Sequence, residues 1–169
     1  MPSPVGHALG GMIAGWGTAG RRPWPAWVSQ AVVFTVVGVL PDIDLLFGAH
    51  SGPTHSIGAA LIVAIMAWGV SGFRARPGVT LAIFAAYASH IFLDWIGDDT
   101  SPPFGIMALW PFSHEYFMSP VSLMPAISRR YWLPGFWVHD LRALVFELVV
   151  LGPITIAVWW GRGAYRRWR

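Results

Sequence analysis

Five stretches of this chain carry little charge and run 15 to 22 residues each: 5–19, 24–40, 55–73, 78–96 and 139–160. A helix of ~20 apolar residues, with a lower limit near ~17, crosses the hydrocarbon core of a bilayer. Such stretches leave no room for the mixed surface of a soluble domain. Apolar residues make up 55% of the chain and charged residues 11%, against roughly 25% charged in soluble domains, and the mean hydropathy is +0.54. The expected fold is therefore all-α: a polytopic membrane helical bundle of about five helices, forming one integral membrane domain over residues 1–169.

The stretches differ in kind. Residues 5–19 are short for a span and rich in Gly and Ala, which lets a helix pack closely on others; this is a span or a deeply buried helix. Pro41 closes the second stretch, Pro77 sits where a helix start tolerates it, and Pro153 is placed to kink the fifth. Residues 97–138 form a long outer connection rich in Pro, Trp and Phe. Aromatic residues of this type favour the membrane–water interface. Connections this long are functional or disordered, and the aromatic density speaks against disorder. No internal repeat or second domain is visible.

Cysteine is absent, which excludes thiolate ligands, disulfides and Cys nucleophiles. All eleven basic residues are Arg, and the net charge is +3. In a membrane chain such charge anchors cytoplasmic loops, so no nucleic-acid partner is expected. No cleavable leader is expected either, because Arg21 and Arg22 follow the first apolar stretch and do not precede it.

Arg21, Arg22, Arg74, Arg76, Arg162, Arg166, Arg167 and Arg169 fall on one side of a five-span arrangement, which makes that side cytoplasmic. The N-terminus is then outside and the C-terminus inside; Arg129, Arg130 and Arg142 oppose this. On the outer side this order gathers His7, Asp42, Asp44, His50, His55, His90 and Asp94, with Asp98, Asp99, His114 and Glu115 in the connection.

Each piece has a plain reading beside the chemical one. Asp42 and Asp44 in LPDID could face one cation if the backbone is extended there, or could cap a helix end. His50 and His55 in HSGPTHS could converge across the Gly52–Pro53 turn, and Thr54 or Ser56 could cap the next helix. His90 and Asp94 in SHIFLDW share a helix face. An Asp inside an apolar helix pairs or binds something, and a simple His–Asp hydrogen bond is the alternative. His7 alone reads as a core histidine. Together they bring seven nitrogen and oxygen donors from four stretches to one membrane face. One tetrahedral zinc needs fewer, so one or two divalent ions are expected, with Zn or Mn foremost and Fe also compatible.

With His7, LPDID (40–44), HSGPTHS (50–56), SHIFLDW (89–95) and LWPFS (109–113) in hand, the chain resembles the bacterial inner-membrane metal-dependent hydrolases, the YdjM-like proteins, over roughly residues 1–115. Their usual H-R-G-x-T-H-S reads HSGPTHS here, with Ser51 in place of Arg. The resemblance implies a bacterial inner-membrane location and hydrolysis.

The expected reaction is hydrolysis of a lipid or lipid-linked phosphoester by a metal-activated water. Asp44 is the expected bridging ligand and base. His50 or His114 is the expected proton donor, with Glu115 next. Membrane lipids are the expected surroundings, and Glu147 and Asp140 are supporting or helix-end groups. A metal or proton transporter, or a structural metal staple, are the competing classes. Conduction is disfavoured because VVFTVVGV and LIVAIMAW offer no polar path below the cluster.

Overall fold

The structure, a computed structural model, describes residues 1–19, 29–48, 50–72 and 77–167, with side chains to Arg162. Arg21, Arg22, Arg74, Arg76, Arg169 and residues 24–28 of the second stretch lie outside the described residues. Five α-helices follow in order: α1 (Pro4–Thr18), α2 (Gln30–Val39), α3 (Ile57–Val70), α4 (Pro77–Trp95) and α5 (Phe136–Arg167). Two 3₁₀ segments, Leu40–Phe47 and Pro53–His55, join α2 to α3. No strand forms among the described residues; two isolated bridges, Gly97 with Met124 and Ile106 with Phe117, tie the long connection together.

Among the described residues, three segments are long and apolar enough to cross a membrane: Gln30–Phe47, Pro77–Trp95 and Phe136–Arg162, while Ile57–Val70 is apolar but shorter. The bundle turns apolar side chains outward, with Val32, Leu61, Ile65, Val149 and Ile156 all exposed. In a soluble protein such a surface would be a liability; in a bilayer it faces lipid. On α5, exposed Trp137 and Trp159 lie about 33 Å apart at 1.5 Å per residue, close to the ~30 Å hydrocarbon thickness. That helix starts at Phe136 and continues through Pro153 to Arg167, so it is longer than residues 139–160. Gly135 (φ 84°) turns the chain into it.

The Gly-rich first stretch is the buried hub. At ~22 Å long α1 is shorter than a full span, and it packs against α4, α2 and α5. Its buried residues are Gly6, His7, Gly10, Gly11 and Gly15. A Cβ on Gly11 would lie 2.3 Å from the Phe34 carbonyl oxygen and 2.9 Å from Gly38 Cα, so only a Gly–Gly crossing lets α1 and α2 approach this closely. Below the crossing, Phe34, Ala82, Ile83 and Ala86 form an apolar core.

The start of α1 is clamped from α5. Ser3 is the N-cap and its hydroxyl accepts from the Val5 and Gly6 N–H groups. The fully buried Glu147 accepts from the Ser3 N–H at 2.6 Å and from the Ser3 hydroxyl. A carboxylate is favoured at this positive helix end. At the other end the Arg162 guanidinium donates to the Trp16 and Ala19 carbonyls at 2.6 and 2.7 Å. Replacing Glu147 with Ala strands two buried donors, at about 1–3 kcal/mol. The expected result is a lower thermal midpoint in detergent than for wild type; an unchanged midpoint would contradict the clamp.

Candidate metal centre

Four elements deliver donors to one end of the bundle. His7 lies one turn into α1, Asp42 and Asp44 on the 3₁₀ segment after α2, His55 at the end of the short turn, and His90 and Asp94 one turn apart on α4. All seven predicted ligand residues meet there, in three overlapping groups whose donor atoms lie within 4.8 Å of one another. The groups are Asp42–Asp44–His50–His55, His7–Asp42–His90 and His55–His90–Asp94. His114 and Glu115 stand exposed in the connection and belong to none of these groups.

The LPDID backbone is not extended. Pro41 falls at the start of a 3₁₀ segment that ends at Gly48 (φ 70°). With three residues per turn, positions i and i+2 diverge. The two carboxylates consequently address opposite nitrogens of one imidazole: Asp42 Oδ1 lies 3.6 Å from His55 Nε2 and Asp44 Oδ2 lies 3.2 Å from His55 Nδ1. Asp42 belongs to two of the groups and Asp44 to one. The Thr54 hydroxyl donates to Asp44 Oδ2 at 2.9 Å. Ser56 caps α3, its hydroxyl accepting from the Ala59 N–H. Tyr87 Oη donates to the Thr54 carbonyl at 2.7 Å, holding the histidine-bearing turn against α4.

At the centre, Asp94 reaches three imidazoles. Its oxygens lie 3.3 Å from His7 Nε2, 3.4 Å from His55 Nε2 and 3.1 Å from His90 Nε2. The rings of His7 and His90 stack with centroids 3.6 Å apart. His90 Nδ1 lies 2.8 Å from the Gly38 carbonyl. A carbonyl can only accept, so Nδ1 carries the proton and Nε2 presents its lone pair to the cluster. This is the backbone support that orients metal-binding histidines. His90 Nε2 and His55 Nε2 then face each other at 3.1 Å, an arrangement that needs a proton or a cation between them. Donors around a tetrahedral zinc, ~2.0–2.1 Å from the ion, would be separated by a similar distance.

The residues fit a divalent ion. His7 Nδ1, Asp44 Oδ1, His50 Nδ1 and both Asp94 oxygens are buried without a hydrogen-bond partner. Buried polar atoms are almost always satisfied, and an imidazole–carboxylate set without sulfur suits Zn, Mn or Fe. Without an ion, burial disfavours charge on His55, but the Asp42 and Asp44 carboxylates beside it and the charge of Asp94 push its imidazole up from 6.5 to about 9. A raised value stabilises the ion-free fold fully below pH 6.5, and this support is lost as pH rises through about 9. A cation must displace that proton. Metal affinity is therefore expected to climb as pH rises toward about 9, with proton release on binding. Calorimetry in buffers of different ionisation enthalpy reads this; a flat pH profile would contradict it.

The cluster opens into a cavity of about 260 Å³. His7, Asp42 and His50 line it together with Arg129, Arg130, Trp132 and Leu133 from the connection. The connection reaches this position through backbone pairing onto the end of α4 and the N-terminus. Ser119 N–H donates to the Trp95 carbonyl at 2.8 Å, Asp98 N–H to Met124 at 2.8 Å, and Ile127 N–H to Met1 at 3.0 Å. His50, beside the opening, has its Nε2 2.8 Å from Met1 Sδ. Sequence reasoning treated Arg129 and Arg130 only as exceptions to the charge asymmetry. Nothing local signalled that they return to the site.

The chain is 26% identical to the Escherichia coli (strain K12) inner membrane protein YbcI over 182 residues, covering 96% of this chain and 99% of that protein. No solved structure matches it. The YdjM inner membrane protein family matches residues 1–165, well beyond the motif-bearing stretch that ends near 115. All the donor residues and the folded-back connection fall within that match, and the chain belongs to the YdjM inner membrane protein family.

Proposed function

We propose that this protein is a membrane-embedded metal-dependent hydrolase acting on a lipid or lipid-linked phosphoester. The observation that carries the reading is the set of three overlapping donor groups, with unsatisfied buried nitrogens and oxygens, at the edge of a cavity. A divalent ion held there supplies Lewis acidity and acidifies a nearby water. His7, His90 and Asp94 hold one end of the cluster, and Asp44, His50 and His55 the other. Asp42, like His55 and His90, belongs to two of the groups and would help to hold an ion from either end. Asp44, oriented by Thr54, accepts the proton of the attacking water. His50, 19% exposed and lining the cavity, returns a proton to the leaving group. His114 and Glu115 are the reserve acid–base pair, reachable only by movement of the connection.

Conduction is the weaker reading, because Phe34, Ala82, Ile83 and Ala86 close the bundle beneath the cluster. In this reading the site faces outward; the support for it is that Arg162 holds the opposite end of α1 from His7 and that further arginines follow it in the sequence. A reporter fused after Arg169 that is active outside the cell would reverse that orientation. The activity test is phosphate release from a panel of phospholipids and lipid phosphates by Zn- or Mn-loaded protein. Release that stops with chelator and in Asp44→Ala supports the reading; no release from any substrate contradicts it.

A further inference from the structure

We infer that Arg129 and Arg130 form an anion-recognition pair that holds the phosphate of a phosphomonoester against the metal centre. The inference rests on the metal-site reading above and names the substrate class. Both arginines line the same cavity as His7, Asp42 and His50. Neither guanidinium has a carboxylate partner among the described residues. Asp99, the other acidic residue lining the cavity, is occupied elsewhere, accepting from the Ser101 and Gly105 N–H groups at 3.1 and 2.9 Å. The cavity is thus lined by two exposed guanidiniums beside the Met1 ammonium and the Asp99 carboxylate.

Charge complementarity gives those cations a role. Asp42, Asp44 and Asp94 together carry three negative charges, which cancel most of the charge of two divalent ions and exceed that of one. Two guanidiniums restore two positive charges, matching a phosphate monoester, and their planar forks suit phosphate oxygens. A diester with a single negative charge makes less use of the pair. Thr100, Ser101 and Ser128 also line the cavity. Trp132 and Leu133 beside the arginines leave an aromatic and apolar flank for the group that the phosphate esterifies.

The test uses the full chain in mild detergent, metal-loaded, titrated with inorganic phosphate by calorimetry. Neither arginine is a metal donor, so the R129Q/R130Q double variant is expected to keep the wild-type metal content while binding phosphate at least tenfold more weakly. A lysine pair at both positions is expected to recover part of the loss, and affinity is expected to fall as salt rises. Equal phosphate affinity in wild type and the glutamine variant would overturn the pair whatever the metal count. Absence of metal from wild type would instead overturn the metal-site reading, so the two failures are distinguishable. Competition against inorganic phosphate separates the sources. Displacement by phosphatidic acid in nanodiscs puts the phosphate on a lipid, displacement by glycerol 3-phosphate puts it on a soluble ester, and displacement by neither would overturn the inference.

Discussion

Replacing Asp94 with Ala is expected to abolish stoichiometric metal binding. Asp94 is 1% exposed and its two oxygens reach His7, His55 and His90, residues from three separate elements. Loss of a mere supporting partner around a metal costs ~10–100-fold in affinity. Loss of this carboxylate removes a donor and the charge that gathers three imidazoles, so more than ~100-fold weakening is expected. Removing one member of a buried charged network also costs about 3–5 kcal/mol. Destabilisation of the variant alone would therefore not prove a metal role. Asp94→Asn separates the two effects: it keeps the shape and an oxygen donor, and is expected to fold while binding metal poorly. Wild-type stoichiometry in a folded Asn variant would contradict the assignment of Asp94 as a ligand.

The second large effect lies at the α1–α2 crossing, one layer below the cluster. A Cβ on Gly38 would lie 2.6 Å from the His7 carbonyl oxygen and 2.9 Å from Gly11 Cα. Both are backbone atoms, which cannot rotate out of the way, so the helices must separate. Overpacking of this kind costs ~1–3 kcal/mol. The separation also moves the Gly38 carbonyl that fixes the His90 ring, and with α1 it moves His7. Gly38→Ala is thus expected to lower both thermal stability and metal affinity, although alanine touches no donor directly. Gly17→Ala is the control: it lies on the same α1, nothing approaches its Cβ within 4 Å, and helical alanine is favoured by ~0.5–1 kcal/mol. Metal affinity unchanged in Gly38→Ala would show that the crossing does not position the site.

Both predictions indicate how much a sequence can disclose. The all-helical membrane fold was legible because long uncharged runs have few physical solutions. The convergence of these His and Asp side chains was legible because a carboxylate or imidazole in an apolar helix needs a partner, and His90 and Asp94 stand at helical spacing. The details that decide chemistry depended on contacts distant in the chain. For LPDID the spacing left open an extended backbone or a helix end; Pro41 and Gly48 frame a 3₁₀ segment that sends its two carboxylates to opposite sides of His55. Glu147 is held to Ser3 across 144 positions, and no local periodicity encodes that. Arg129 and Arg130 read as topological exceptions because the fold-back of the connection rests on backbone pairs such as Gly97 with Met124, which side-chain patterns do not reveal.

The most direct measurement is elemental analysis of the wild-type protein, purified in mild detergent without chelators and then reconstituted with Zn or Mn. One or two ions per chain, retained through gel filtration, is the result expected from three overlapping donor groups with unsatisfied buried atoms. No metal after purification and none after reconstitution would contradict the metal centre, and would leave the histidines and aspartates as a buried proton-sharing network.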